Sequence, residues 1–144
     1  MSTPVVDIYL IFDGNAKDAV RFYEKTLGGK LEMMMTMGES PMAEHCPPTA
    51  KDLIMHACLD FDGRKLMASD DMPGQPHKAK NGFGVTLTYE SVEEAGKIFA
   101  ALAEGGTTTM KMEPTFWAES FGMCTDKFGT HWMVSGKPKP APYH

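Results

Sequence analysis

Two stretches of the chain have the apolar spacing of an amphipathic helix. In NAKDAVRFYEKTLGG (15–29) and SVEEAGKIFAALAEGG (91–106), apolar residues recur every three or four positions and form one stripe. The stripes consist of Ala16, Ala19, Val20, Tyr23 and Leu27, and of Val92, Ala95, Ile98, Phe99 and Leu102. Each pattern closes on two glycines, Gly28-Gly29 and Gly105-Gly106, which commonly end helices. Ser91 and Glu94 also have the spacing of a capping box, so two helices are predicted.

Short runs of strand-like residues surround both helices in the same order. One run precedes each helix, VVDIYLIF in the first half and FGVTLTY in the second. Three runs follow each helix: KLEMMMTM, LIMHACLDF and KLMAS, then TTTMKM, ESFGMCT and HWMVS. The pattern therefore predicts the order βαβββ twice.

A repeated phrase supports duplication. DFDGRKLMAS (60–69) and DKFGTHWMVS (126–135) match at their Asp, Gly, Met and Ser positions. We predict one domain over 1–144, with module one at about 4–71, a linker at about 72–81, module two at about 82–136 and a tail at 137–144.

The predicted fold class is α+β, with tandem βαβββ modules that form a cleft. One face of each four-stranded sheet would be covered by its helix, and the two other faces would curl into half-shells around a ligand. Because side chains alternate between the two faces of a strand, each residue of the repeated phrase can be assigned to the helix side or to the cleft side. Leu66, Ala68, Trp132 and Val134 should pack under the helices, whereas Lys65, Met67, Ser69, His131, Met133 and Ser135 should face the cleft.

The composition of the chain indicates which kinds of partner are not expected. The 144 residues are 42% hydrophobic, enough for one core, and contain no apolar run long enough to span a membrane. The N-terminus does not resemble a secretory signal, and the three cysteines form no CxxC pair, so a cytoplasmic location is expected. With a net charge of −5 and scattered Lys and Arg, the chain is not expected to bind nucleic acid.

Three segments carry a resemblance to a known family: IYLIFDGNAKDAVRFYEKTLGG, LMASDDMPG and FWAESFGMCTDKFGTHWMVS. Together they resemble the vicinal oxygen chelate superfamily, which includes glyoxalase and bleomycin-resistance proteins, and within it the PhnB-like branch. That branch is often labelled demethylubiquinone-methyltransferase-like. A methyltransferase with a nucleotide-type cofactor would be expected to carry a GxGxxG pattern. The nearest candidate, GFGVTL beginning at Gly82, has no third glycine, so methyl transfer is rejected.

The resemblance also implies where a metal would be bound. Metal-dependent members use His, Glu or Gln on the first and last strands of each module, and these positions fall at Ile8 or Tyr9, Met67, Gly84 or Val85, and Met133. None supplies a ligand for a hard divalent ion. No cofactor is therefore expected, although a relocated divalent site built from His131 with His56 or Asp70 is an alternative. Otherwise Asp70 and Asp71 would cap the linker turn, His56 would be an interior residue and Asp126 would organise its turn.

The predicted cleft combines methionine side chains with a few polar and aromatic ones. Met33, Met35 and Met37 alternate along one strand run, as do Met110 and Met112 along its counterpart. The long loop at about 38–52 is expected to be a lid or an interface segment. The ligand-binding residues are predicted to be Tyr9, Met35, Lys65, Met67, Ser69, Met110, Trp117, Phe121, His131 and Met133.

Three functions remain open from the sequence. The favoured one is a protein that binds a small, partly apolar molecule and has lost the inherited metal ligands. The alternatives are a metal-dependent enzyme with relocated ligands and a metal-free lyase-, isomerase- or dioxygenase-type enzyme, in which His131 would be the catalytic residue. The resemblance further implies a homodimer.

Overall fold

The computed structural model describes residues 2–72, 74 and 76–140, and it has the predicted βαβββ order twice. The first set consists of β1 (Ile8–Phe12), α1 (Ala16–Leu27), β2 (Lys30–Thr36), β3 (Ile54–Phe61) and β4 (Arg64–Asp70). The second consists of β5 (Val85–Tyr89), α2 (Val92–Ala103), β6 (Thr107–Glu113), β7 (Ala118–Thr125) and β8 (His131–Pro138). The predicted α+β class is confirmed.

The two sheets have the same topology. Their strand orders are β1-β4-β3-β2 and β5-β8-β7-β6. In each, the first strand pairs in parallel with the last, and the other neighbours are antiparallel. Parallel neighbours need a long crossover connection, and in each sheet the helix is part of that connection.

By its contacts the chain divides into two compact units, Met1–Lys78 and Ala79–His144. Each unit holds one helix and one sheet, and the boundary lies inside the predicted linker at 72–81. Pro73 and Gln75 of that linker, and residues 141–144 of the predicted tail, lie outside the described residues. Neither described helix is long and apolar enough to span a membrane.

Each unit has its core between the helix and one face of the sheet. The predicted inner residues Leu66, Ala68, Trp132 and Val134 are all buried. So is most of both helix stripes: Ala16, Ala19, Val20 and Tyr23 in α1, and Ala95, Phe99 and Leu102 in α2. The period of the apolar residues therefore identified the inner faces correctly.

The two helices begin in different ways. Ser91 accepts a hydrogen bond from the amide of Glu94, as in the predicted capping box, and its own hydroxyl donates to Glu93. In α1 the N-cap residue Asn15 makes no side-chain cap. Instead the buried carboxylate of Asp70, at the end of β4, accepts from the amides of Ala16 and Ile54.

That finding corrects the expected role of Asp70, the first of the two aspartates after Ser69. Asp70 joins the start of α1 to the start of β3 and does not cap the linker turn. Asp71 forms a pair with His77, and its amide donates to the carbonyl of Phe12.

Register shifts in the second strand of each set overturn the simple alternation of the methionines. Strand β2 ends at Thr36, and Met37 lies buried in a 3-10 turn rather than on the strand. In β6 the register shifts between Met110 and Glu113. Met110 pairs with Met123, whereas the sulfur of Met112 lies against Gly122 on the side of α2. A bulge reverses the facing of the residues after it, which a period-two pattern does not anticipate.

Candidate ligand-binding site

The first open face is the side of the β1–β4 sheet opposite α1. Pairing places Tyr9 beside Met67, Met67 beside Cys58, and Cys58 beside Met33 in one row across the sheet. A second row contains Ser69, paired with Ile11, and Met35, paired with His56. Four predicted site residues, Tyr9, Met35, Met67 and Ser69, are thus neighbours on this face.

Tyr9 and His56 contact each other on the first open face. The Tyr9 hydroxyl and His56 Nδ1 are 3.1 Å apart, and the rings stack with centroids 5.6 Å apart. Tyr9 remains 41% exposed. His56, whose facing the sequence left ambiguous, therefore belongs to this face, and its ring is held by a phenol rather than by an acid.

Lys65, the fifth predicted residue in this unit, is bound by two carboxylates. Its Nζ contacts Glu32 and lies 3.0 Å from Asp60. The hydrogen bonds that Lys65 donates to Glu32 and then to Asp60 raise the pKa of Lys65, and the bond from Lys65 lowers the pKa of Asp60. The ammonium is a permanent charge that is already paired.

The second open face is the side of the β5–β8 sheet opposite α2, and it carries a cavity of about 520 Å³. That volume is within the range typical of small-molecule sites. The lining combines aromatic, thioether, hydroxyl and amide groups: Asn81, Gly82, Phe83, Gly84, Thr109, Met123, Cys124, Thr125, His131, Trp132 and Met133.

Met133 is central to this cavity. It pairs with Thr86 on one side and Met123 on the other, and Thr86 Oγ1 lies 3.9 Å from its sulfur. A Cβ on Gly84 would lie 3.4 Å from the same sulfur. The segment before β5 thus packs directly on Met133, and the absence of a side chain at Gly84 keeps the space open.

His131 also lines the cavity, but both ring nitrogens are engaged. Nε2 lies 2.8 Å from the carbonyl of Lys80, and Nδ1 lies 2.8 Å from the hydroxyl of Thr125. A carbonyl only accepts, so Nε2 carries a proton, and in the neutral ring Nδ1 accepts from Thr125. His131 therefore fixes the segment before β5 to the sheet, and neither nitrogen has a free lone pair for a metal or a substrate proton.

Trp117 contacts its own unit. Its ring meets Phe121 edge-on with centroids 5.1 Å apart, and it meets Phe116 edge-on with centroids 4.8 Å apart. Phe121 is buried, whereas Trp117 and Phe116 stay exposed. Hydrogen bonds from the amides of Trp117 and Ala118 to Thr115 Oγ1 fix this turn.

The donor set at the inherited metal positions does not suit a hard divalent ion. Met67 lies between Tyr9 and Cys58, and Met133 between Thr86 and Met123. Thioethers with a phenol or a hydroxyl favour soft ions. Both carboxylate oxygens of Asp70 accept backbone amides, and within residues 2–72, 74 and 76–140 no group of three His, Cys, Asp or Glu is placed to hold a metal.

The ten predicted ligand-binding residues divide equally between the two units. Met133 and His131 line the cavity, and Met110 is paired with Met123, which also lines it. Sequence reasoning missed Asn81, Phe83 and Thr109. The first two were assigned to the linker and strand start, and Thr109 lies in a register shift of β6. The glycines at 82 and 84 were the available signal, since glycines permit close backbone approach.

Comparison with known proteins identifies the family. The model of the Glyoxalase/Bleomycin resistance protein/Dioxygenase superfamily matches residues 5–134, and the chain belongs to that superfamily. The predicted resemblance is confirmed. The chain is 38% identical to Protein YjdN of Escherichia coli K12 over 135 residues, which cover 88% of this chain and 91% of that protein.

Two solved structures extend the comparison. Protein PA1353 from Pseudomonas aeruginosa is 45% identical with a TM-score of 0.83, covering 92% of this chain and 98% of that one. A PhnB protein from Bacillus cereus, described as a putative 3-demethylubiquinone-9 3-methyltransferase, has a TM-score of 0.77 at 22% identity, covering 92% and 99%. The likeness to the latter shows the shared fold.

Proposed function

We propose that this chain binds a small, partly apolar molecule in the cavity on the second open face, without a metal at the positions inherited from the superfamily. The observation that carries the proposal is Met133, a thioether that lines the cavity at a position where the metal-dependent members of the superfamily use a carboxylate. Flexible, polarisable methionine surfaces accommodate varied apolar shapes.

The polar groups around the cavity set the expected ligand chemistry. Thr109 and Asn81 are exposed at the lining and offer a hydroxyl and an amide, whereas His131 is engaged with Lys80 and Thr125. No carboxylate lines this cavity in the part of the chain that the structure describes. The ligand is therefore proposed to be uncharged or weakly charged at this site, with one or two hydrogen-bonding groups on an apolar body.

Binding is tested with the uncharged fluorescent probe Nile red, which brightens in apolar sites. Saturable binding to the wild-type chain is expected, and Thr109→Phe should weaken it about tenfold by filling the cavity. Thr108→Phe is the matched control, because Thr108 is the exposed neighbour outside the lining. Equal loss in both variants, or no saturable binding, would contradict the proposal.

A screen of small molecules by thermal shift then separates binding from catalysis. Compounds that stabilise the wild-type chain but not Thr109→Phe are incubated with it and followed by NMR. Turnover that is lost in His131→Gln would establish the enzymatic alternative and overturn the binding role.

We further propose that the chain forms a homodimer in the cytoplasm. The homodimer rests on the superfamily resemblance, and the location on the three cysteines, which are all unpaired in the structure. Sedimentation equilibrium tests the assembly: a mass of twice 15.8 kDa is expected, and a monomer at micromolar concentration would contradict it.

A further inference from the structure

The first unit contains a second, smaller cavity of about 80 Å³ beneath the loop between β2 and β3. Its lining is rich in sulfur. Six of its side chains carry a thioether, a thiol or an imidazole: Met37, Met42, Met55, Met72, His45 and Cys46. They come from the 3-10 turns of the loop, from β3 and from the segment after β4, so the fold and not one local motif brings them together.

Hydrogen bonds hold the loop over this cavity. The Thr36 hydroxyl and Glu39 form a reciprocal capping box at the first turn. The buried Ser40 donates to the carbonyl of Met37 and accepts from the amide of Met42. The amide of Met37 also donates to Leu53. The backbone at Met37 and Met42 is therefore fixed, which limits the entropy lost when a ligand gathers their side chains.

The donors define the kind of ligand. Thioether and thiolate sulfur are soft ligands that select Cu(I), while Mg and Mn prefer carboxylate and water oxygens. No carboxylate lines this cavity among the described residues. The Cys46 thiol donates to the carbonyl of Pro47 at 3.4 Å, a contact that leaves the lone pairs of the sulfur available.

We propose that this cavity is a site for a soft monovalent metal ion, Cu(I), bound by the Cys46 thiolate together with the surrounding thioethers and His45. On binding, the Cu–S bond replaces the S–H bond of Cys46, and the proton passes to solvent. A Cu(I) ion with one thiolate has no net charge, which suits a cavity lined mainly by apolar side chains. This site is separate from the proposed ligand cavity, whose lining lies wholly in the second unit.

The test is an anaerobic titration of the full chain with Cu(I) in competition with the chromophoric chelator bathocuproine disulfonate. We expect one Cu(I) per chain to be retained. Cys46→Ser should weaken retention by about tenfold or more, since even substitutions outside the ligand set commonly cost that much metal affinity. X-ray absorption of the loaded chain should show a shell dominated by sulfur.

Thioether variants provide a matched comparison. Met42→Ile with Met72→Ile removes two exposed thioethers from the cavity lining and should also weaken retention about tenfold. Met33→Ile with Met110→Ile removes two equally exposed thioethers elsewhere and should leave retention within about twofold of the wild type. Circular dichroism verifies that each variant is folded.

Several results would overturn the site. They are loss of Cu(I) to the chelator by the wild-type chain, unchanged retention in folded Cys46→Ser, or equal weakening in both double variants. Zn(II) binding as tight as Cu(I) binding would also refute a soft-ion site. None of these results affects the probe binding expected in the second unit, so the two proposals fail separately.

Discussion

Asp70 accepts a hydrogen bond of 2.9 Å from the backbone amide of Ala16, the first residue of α1, although the two residues are 54 positions apart. Its other oxygen accepts from the amide of Ile54 at 2.8 Å. The position that directly follows the repeated phrase in the second unit is Gly136 of β8, where a Cβ would lie 3.0 Å from the Cα of Val92 at the start of α2. The two copies therefore anchor the helix start by different means: a buried carboxylate in one and close backbone packing in the other.

Replacing Asp70 should destabilise the chain strongly. Asp70→Ala leaves two backbone amides without their acceptor, and bonds to charged groups contribute about 1.5–3 kcal/mol each, so a loss of about 3 kcal/mol is expected. Urea denaturation followed by circular dichroism measures it. Asp71→Ala is the control, because its half-buried pair with His77 should contribute less than about 1 kcal/mol. Similar losses in both variants would show that the contacts of Asp70 are not responsible.

Replacement of two glycines in the second unit by alanine should change the stability of the chain in opposite directions. At Gly136 a Cβ would lie 2.9 Å from Ala95 Cβ, so Gly136→Ala should cost about 1–3 kcal/mol of stability through overpacking. At Gly96, within α2, a Cβ would meet nothing within 4 Å, and alanine should stabilise the helix by about 1 kcal/mol. Thermal unfolding of both variants tests this, and a stable Gly136→Ala would contradict the close packing.

The sequence predicted the fold well because the apolar period reports the inner face of each element. Leu66, Trp132 and the stripes of both helices were assigned correctly, since burial of their side chains is what stabilises those elements. The identical topology of the two sheets follows from the repeated order of elements.

The site was less predictable, for identifiable physical reasons. The register shifts in β2 and β6 moved Met37 and Met112 away from the face that alternation assigns them. Likewise, the partners of His131 and Asp70 are backbone groups of Lys80 and Ala16, and a backbone carbonyl or amide leaves no trace in the sequence. The sequence suggested these two residues as possible metal ligands, whereas in the structure both hold backbone in place.

The three cysteines should differ in reactivity. Burial, and then the charge of Asp126, raises the pKa of Cys124 to about 11, and burial also raises the pKa of Cys58. Only thiolates react with iodoacetamide, so at neutral pH the folded chain should be alkylated at the half-buried Cys46 alone. Mass spectrometry of the digested chain checks this, with labelling in urea as the control in which all three react.

The raised pKa of Cys124 also predicts how the stability of the folded chain changes at alkaline pH. Because unfolded Cys124 ionises near its ordinary pKa of 9.0 and the folded residue near 11, its contribution is intact below 9.0 and is lost as pH rises between these values. Cys124→Ala should therefore show a shallower fall in urea midpoint over that range than the wild type. Parallel pH profiles would contradict a shifted thiol.

At acid pH the protonation of Asp60, which forms an ion pair with Lys65, should lower the stability of the folded chain. The hydrogen bond from Lys65 Nζ, at 3.0 Å, and the amide of Gly63 lower the pKa of Asp60 below its ordinary 3.8. A lowered folded pKa means that the contribution is present above 3.8 and is lost as pH falls through the folded value. Asp60→Asn should thus be less stable than the wild type at neutral pH, and the difference should shrink towards about pH 3.

Urea denaturation across that range measures the Asp60 effect, and two variants make it specific. Asp62→Asn, in the same turn and exposed, should differ little from the wild type at any pH, since asparagine tolerates the positive φ of 53° found there. In a Lys65→Met background the effect of Asp60→Asn should be smaller than in the wild type, because the main cause of the pKa shift is removed. An undiminished effect in that background would assign the stabilisation to the Gly63 amide instead of the ammonium of Lys65.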